Sequence, residues 1–129
     1  MNSKAAKKKD LEKKKRIEEM HRIAIEVIKE KALVFLLWLF SKREMHGYEL
    51  IRVLKQEQML RISPKPAMVY PMLNALCKKG LLSCRIIKEG KREKKLYTTS
   101  QKGLKYIEMA KKEYEKNKLL RQFVREVVL

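Results

Sequence analysis

Cysteine is scarce in this chain. Cys77 and Cys84 are its two thiols, with no second pair and no histidine beside them; zinc-finger spacing is therefore excluded, and the expectation is reduced, structural thiols. Histidine is equally scarce, and His21 and His46 fall in different elements. No nucleophile and base pair, carboxylate dyad, phosphate-cradling glycine loop or metal constellation stands out, so neither an enzyme nor a cofactor or metal protein is expected. Long apolar runs are missing too. Ala32 to Phe40 is nine residues, well below the roughly 20 needed to cross a bilayer; it reads as a buried helix segment, with no membrane span. The first thirty residues are rich in Lys and Glu and lack the apolar stretch and small-residue cleavage site of a secretory signal, so a cytoplasmic, nucleoid-associated protein is expected. Acidic residues are the most telling shortage. Fifteen Asp and Glu face 33 Lys and Arg, a net charge of +18 at pH 7 in 129 residues. That exceeds what solubility requires and points to a polyanionic partner, nucleic acid first and an anionic membrane second.

Glycine and proline are few and confined. Gly47, Gly80, Gly90 and Gly103, with Pro64, Pro66 and Pro71, all lie between residues 47 and 103, so the middle is segmented and both ends are long helices. Leu11, Ile17, Met20, Ala24, Val27 and Ile28 form a helical apolar stripe leading into the Ala32 to Phe40 run. That run is apolar on nearly all sides, as for a helix at a domain centre, and Trp38 within it reads as core. Lys7, Lys8, Lys9, Lys13, Lys14, Lys15 and Arg16 make the start of the arm too charged to pack without a partner. Its tip should fray, and its lysines read either as a solvated face or as contacts to DNA phosphates.

After a turn around Arg43 to Met45, Tyr48, Ile51 and Leu54 mark a second helix ending near Gln58. A third starts at Pro66 or Ala67, where proline suits the first turn, buries Val69, Leu73 and Leu76, and stops at Gly80 behind a basic last turn. Leu82 to Ile87 and Leu96 to Thr99 read as the strands of a hairpin, with a basic tip of Lys88, Lys91, Arg92, Lys94 and Lys95 tempered by Glu89 and Glu93. Ser100 caps a final helix whose Ile107, Ala110, Tyr114, Leu120, Val124 and Val127 repeat at helical spacing to the end and need something to bury against. The expected class is mainly α with a small β-hairpin (α+β): a winged helix-turn-helix with long N- and C-terminal dimerisation helices. Residues 1–30 form a basic arm, 31–103 the winged-helix DNA-binding domain and 104–129 the dimerisation helix.

In a helix-turn-helix the second helix lies in the major groove. With Val69, Leu73 and Leu76 turned inward, that helix offers Met68, Tyr70, Pro71, Asn74 and Lys78, with Lys65 leading in. Asn74 can read an adenine edge, Lys78 or Lys65 a guanine or a phosphate, and Met68 a thymine methyl; Tyr70 also reads as a half-buried supporting ring, and Asn74 as an ordinary solvent-facing amide. Lys91, Arg92, Lys94 and Lys95 of the hairpin would neutralise flanking phosphates.

His46-Gly47-Tyr48-Glu49-Leu50, Pro66-Ala67-Met68-Val69-Tyr70-Pro71, Lys79-Gly80-Leu81, Lys94-Lys95-Leu96-Tyr97 and Ser100-Gln101-Lys102-Gly103 together resemble the PadR-like family of winged-helix transcriptional regulators. The resemblance covers roughly Ala32 to the end. Ala67 and Met68 stand where the family more often has Gly and Thr, which leaves out a hydroxyl contact to phosphate, whereas Tyr48, Tyr70 and Pro71 match. The resemblance implies a homodimer formed through the last and N-terminal helices, acting on a pseudo-palindromic operator in double-stranded DNA, with repression as its expected effect. It also implies the compact subclass, whose members often sense small aromatic molecules at the dimer interface, although no residue here identifies such an effector. Two other readings stay open: an architectural protein that coats DNA without sequence preference, and a winged-helix module that binds a protein or an anionic membrane.

Overall fold

The structure, a computed structural model, describes residues 3–58 and 63–129, with the side chains of Val27 and Ile28 outside that description. In chain order it contains α1 (Ser3–Lys42), α2 (Gly47–Gln56), α3 (Pro66–Lys78), β1 (Leu82–Glu89), β2 (Arg92–Thr99), α4 (Gln101–Lys116), α5 (Lys118–Phe123) and a closing π-helical turn (Val124–Val128). By internal contacts the chain divides into two compact units, residues 1–33 and 34–129.

The first unit is helical from Ser3, rather than frayed through its lysines. Lys, Glu, Ala, Leu and Met are good helix formers, and neither Gly nor Pro occurs before residue 47. Every described side chain from residue 3 to 26 is solvent-exposed, the stripe residues Leu11, Ile17 and Met20 included.

The core of the second unit is Leu36, Leu37, Phe40, Met45, Leu50, Ile51, Leu54, Val69, Leu73, Leu76, Leu81, Leu82 and Tyr97. The α1 run buries only one of its sides. Leu36, Leu37 and Phe40 are interior, but Trp38 is 44% exposed, its ring 5.9 Å from that of Phe35. Trp38 is thus not the core residue expected: the neighbouring elements cover a single face of the helix, and a run that is apolar all round carries no sign of which face that is.

Helix α2 starts at His46, whose Nδ1 accepts from the Glu49 N–H at 3.1 Å. That acceptor role puts the ring proton on Nε2, which lies 2.9 Å from Glu49 Oε1, a reciprocal cap. Gly47 follows because α3 passes close: a Cβ there would lie 2.7 Å from the Tyr70 ring. Helix α3 runs from Pro66, as proline's first-turn preference predicts, and ends in a Schellman motif. Leu81 N donates to Leu76 O and Gly80 N to Cys77 O, with Gly80 at φ +76°.

Strands β1 and β2 pair antiparallel from Leu82↔Thr99 to Glu89↔Arg92. Gly90 and Lys91 make a two-residue turn with positive φ at Gly90 alone, the pattern of a type II′ hairpin. Both strands run further than the apolar residues suggest, so Arg92, Lys94 and Lys95 stand on β2 and only Lys91 is at the tip. Met45 adds a short bridge to the hairpin, exchanging both backbone hydrogen bonds with Tyr97 at 3.2 and 2.8 Å. Arg85 of β1 forks onto the Glu44 carboxylate, and its guanidinium holds that carboxyl below the usual range.

Ser100 caps α4, accepting from Gly103 N–H at 3.1 Å while its hydroxyl donates to Gly80 O. Lys102 Nζ donates to Lys79 O at 2.7 Å, placing a cation on the C-terminal carbonyls of α3. The expected single final helix is interrupted. Asn117 leaves helical geometry (φ −93°, ψ 98°), and its side chain caps α5 by accepting from Leu120 N–H at 2.9 Å; asparagine favours such a cap over a helix interior. Ile107, Ala110 and Tyr114 therefore belong to α4, Leu120 to α5, and Val124 and Val127 to the π turn.

Candidate nucleic-acid interface

Helices α2 and α3 and strand β2 enclose an open groove of about 610 Å³, lined by His46, Tyr48, Arg52, Tyr70, Asn74, Arg92, Glu93, Lys94, Lys95 and Tyr97. Each side is positioned by a local rule. The His46 cap fixes the start of α2. Val69, Leu73 and Leu76 anchor α3 by one face, which turns Asn74 outward. The hairpin register fixes the residues of β2.

Tyr97 is a buried lining residue, its ring edge-on to Phe40 at 6.2 Å, and burial pushes its phenol above the usual range. Tyr70 is 40% exposed, one edge against Gly47 and the rest facing out, as for a half-buried supporting ring. Tyr48 is 58% exposed, with the Arg52 guanidinium 5.6 Å from its ring centroid, a cation–π pair.

The sign of the groove is set by which charges are already engaged. Glu89 pairs with Lys94 at 3.0 Å. Arg85 is occupied by Glu44. Among the described residues Arg52, Arg92 and Lys95 have no carboxylate partner; set against Glu93, the one carboxylate in the lining, they leave the groove a positive surplus facing exposed aromatic rings. That combination suits phosphates flanked by sugars and bases. Among the described residues no group of three or more His, Cys, Asp and Glu could hold a metal ion. Cys77 is half-buried and burial raises its thiol pKa, while Cys84 is exposed.

Six of the residues singled out from sequence meet in this groove: Tyr48, Tyr70, Asn74, Arg92, Lys94 and Lys95. Met68, Pro71 and Lys78 lie along α3 outside it, Lys65 immediately precedes that helix, and Lys91 is at the hairpin turn. Sequence reasoning missed Arg52 and His46. Arg52 was within reach, because Tyr48 and Arg52 are four apart on one helix and such pairs meet. Tyr97 could not be placed, since only the fold carries β2 past α2.

The sequence model of the PadR-like family of transcriptional regulators matches residues 36–109. No curated protein matches the chain. Among solved structures, a PadR-like transcription factor from Bacteroides fragilis is 19% identical with a TM-score of 0.64, over 82% of this chain and 98% of that one. A PadR family transcriptional regulator from Eggerthella lenta is 18% identical with a TM-score of 0.61, over 88% of this chain and 95% of that one; these two likenesses establish the shared fold. Bacillus subtilis PadR, solved in complex with operator DNA, is 29% identical with a TM-score of 0.53, over 60% of this chain and 43% of that one. The family match takes in the helix-turn-helix, the hairpin and most of α4, the elements that build the groove, and by it the chain belongs to the PadR-like family of winged-helix transcriptional regulators, which are not enzymes.

Proposed function

We propose that the chain is a homodimeric, sequence-specific binder of double-stranded DNA that represses transcription from a pseudo-palindromic operator. The observation that carries this reading is the groove. Exposed tyrosines and uncommitted cations from α2 and β2 stand beside α3, a helix anchored by one face with its other face open.

In this reading Asn74, Met68 and Lys78 face base edges from α3. Tyr48, Arg52, Lys65, Tyr70 and Pro71 fix the register on the backbone, and Lys91, Arg92, Lys94 and Lys95 hold flanking phosphates. Residues 31–103 form the DNA-binding domain, 104–129 the dimerisation segment and 1–30 a separate arm. The dimer reading rests on apolar side chains left uncovered on the C-terminal elements, among them Met109, Leu119, Phe123 and Val127, beside the half-buried Ile107, Ala110, Tyr114, Leu120 and Val124. An area of this kind on one chain is an interaction surface. A small aromatic effector would find its stacking partners in the Phe35 and Trp38 pair. The protein acts where its DNA is, in the cytoplasm at the nucleoid.

Selection of bound fragments from a random duplex library at physiological salt tests the reading. Enrichment of an inverted repeat with half-sites about one helical turn apart is expected. Retention without enrichment would replace sequence-specific regulation with architectural binding.

A further inference from the structure

The first unit carries a charge pattern that the winged helix does not explain, and the family match, which begins at residue 36, does not include it. Between Ser3 and Arg16 stand eight basic residues (Lys4, Lys7, Lys8, Lys9, Lys13, Lys14, Lys15 and Arg16) and two acidic ones, Asp10 and Glu12. Over residues 17 to 30 the balance reverses, with Arg22 and Lys29 against Glu18, Glu19, Glu26 and Glu30. A helix that only needed solubility would interleave the signs throughout; here they are sorted along its length.

They are sorted around the helix as well. Lys4, Lys7, Lys8, Lys14 and Lys15 follow steps of three and four residues about Leu11 and share one face. Ile17, Met20 and Ala24 lie on the opposite side, so Leu11 falls outside the apolar stripe expected from spacing. All the basic residues of this stretch are exposed, and no ion pair among the described residues involves any of them. Leu11 is the only large apolar side chain from Ser3 to Arg16, too little to seat a helix in a bilayer interface, which takes a broad apolar face. The ligand that matches a row of unpaired ammonium groups without an apolar face is a row of phosphates.

We propose that this lysine face is a second DNA contact, binding backbone phosphates of duplex DNA without reading sequence, separate from the groove of the winged helix. The proposal rests on the reading of the protein as a duplex-DNA binder. It adds affinity and salt dependence but no specificity.

The test compares the full-length parent with two variants on a long random duplex across a salt titration. One variant, K4Q/K7Q/K8Q/K14Q/K15Q, neutralises the face; the other, K9Q/K13Q/R16Q, removes charge from the far side. Lys, Arg and Gln have similar helix propensities, and equal far-UV circular dichroism confirms that the helix persists. For every phosphate no longer neutralised, the slope of log K against log salt falls by about 0.9. The face variant should therefore lose about three or more in slope, the far-side variant less than about one, and the preference for a selected site over random DNA should be unchanged in both. An unchanged slope in the face variant, or an equal loss per charge in the two variants, overturns the proposal. If the parent itself ignores duplex DNA at low salt, the DNA reading fails first, and capture by vesicles of anionic lipid would then assign the face to a membrane.

Discussion

Helix α2 and the last eleven residues of the C-terminal helices are built from similar materials and have opposite fates. Of the ten residues of α2, Gly47, Leu50, Ile51 and Leu54 are buried. From Lys118 to Val128 the chain offers Leu119, Leu120, Phe123, Val124, Val127 and Val128 and buries none of them. The difference lies in what stands opposite. Gly47 lets α3 approach to contact, so the apolar face of α2 closes within the chain; among the described residues no element covers the C-terminal face to that extent. Apolar periodicity predicts that a face wants covering, and only the fold tells whether the cover comes from the same molecule.

The sharpest break of this comparison is in stability. Leu73→Ala removes a fully buried side chain and should cost about 2–5 kcal/mol, whereas Val127→Ala, on a residue 68% exposed, should stay within about 0.5 kcal/mol. Chemical denaturation at a fixed low protein concentration checks both, and similar costs would erase the distinction between the two regions. A smaller effect is expected in association. Phe123→Ser with Val127→Ser should weaken self-association tenfold or more, about 1.4 kcal/mol, with secondary structure unchanged, as read by sedimentation. A dimer as tight as the parent's would move the interface elsewhere.

The smallest effect concerns pH and touches only the middle of the chain. Arg85 holds the Glu44 carboxyl below its ordinary value of 4.5. The pair therefore contributes stability above that value, and the contribution is lost as pH falls through the lowered one. The difference in thermal midpoint between the parent and Glu44→Gln should be present at pH 7 and close in acid. A difference that widens on acidification would contradict the assignment.

Much of this contrast was legible in sequence where one element carries its own signals. Pro66 and Gly80 bracket α3, and Val69, Leu73 and Leu76 recur at its inward spacing, so helix, limits and buried face agree with expectation. The hairpin and the Ser100 cap were legible for the same reason. Trp38 was misread because the run around it is apolar on every side and periodicity is silent there. The break at Asn117 was hidden because one local hydrogen bond to Leu120 outweighs a stripe that continues past it. Arg85 onto Glu44, 41 residues away in sequence, and Tyr97 in the groove are products of tertiary pairing that no local pattern carries. The candidate site divides along the same line: the α3 and β2 residues were accessible from pattern, whereas their meeting with Arg52 and His46 was not.

The central claim is that the open face of α3 reads sequence while the surrounding cations supply charge. Competition binding of the parent to its selected site and to a scrambled duplex of equal length, at one physiological salt concentration, tests it most directly. A preference of about a thousandfold or more is expected for specific recognition, and equal affinity for the two duplexes would contradict the account.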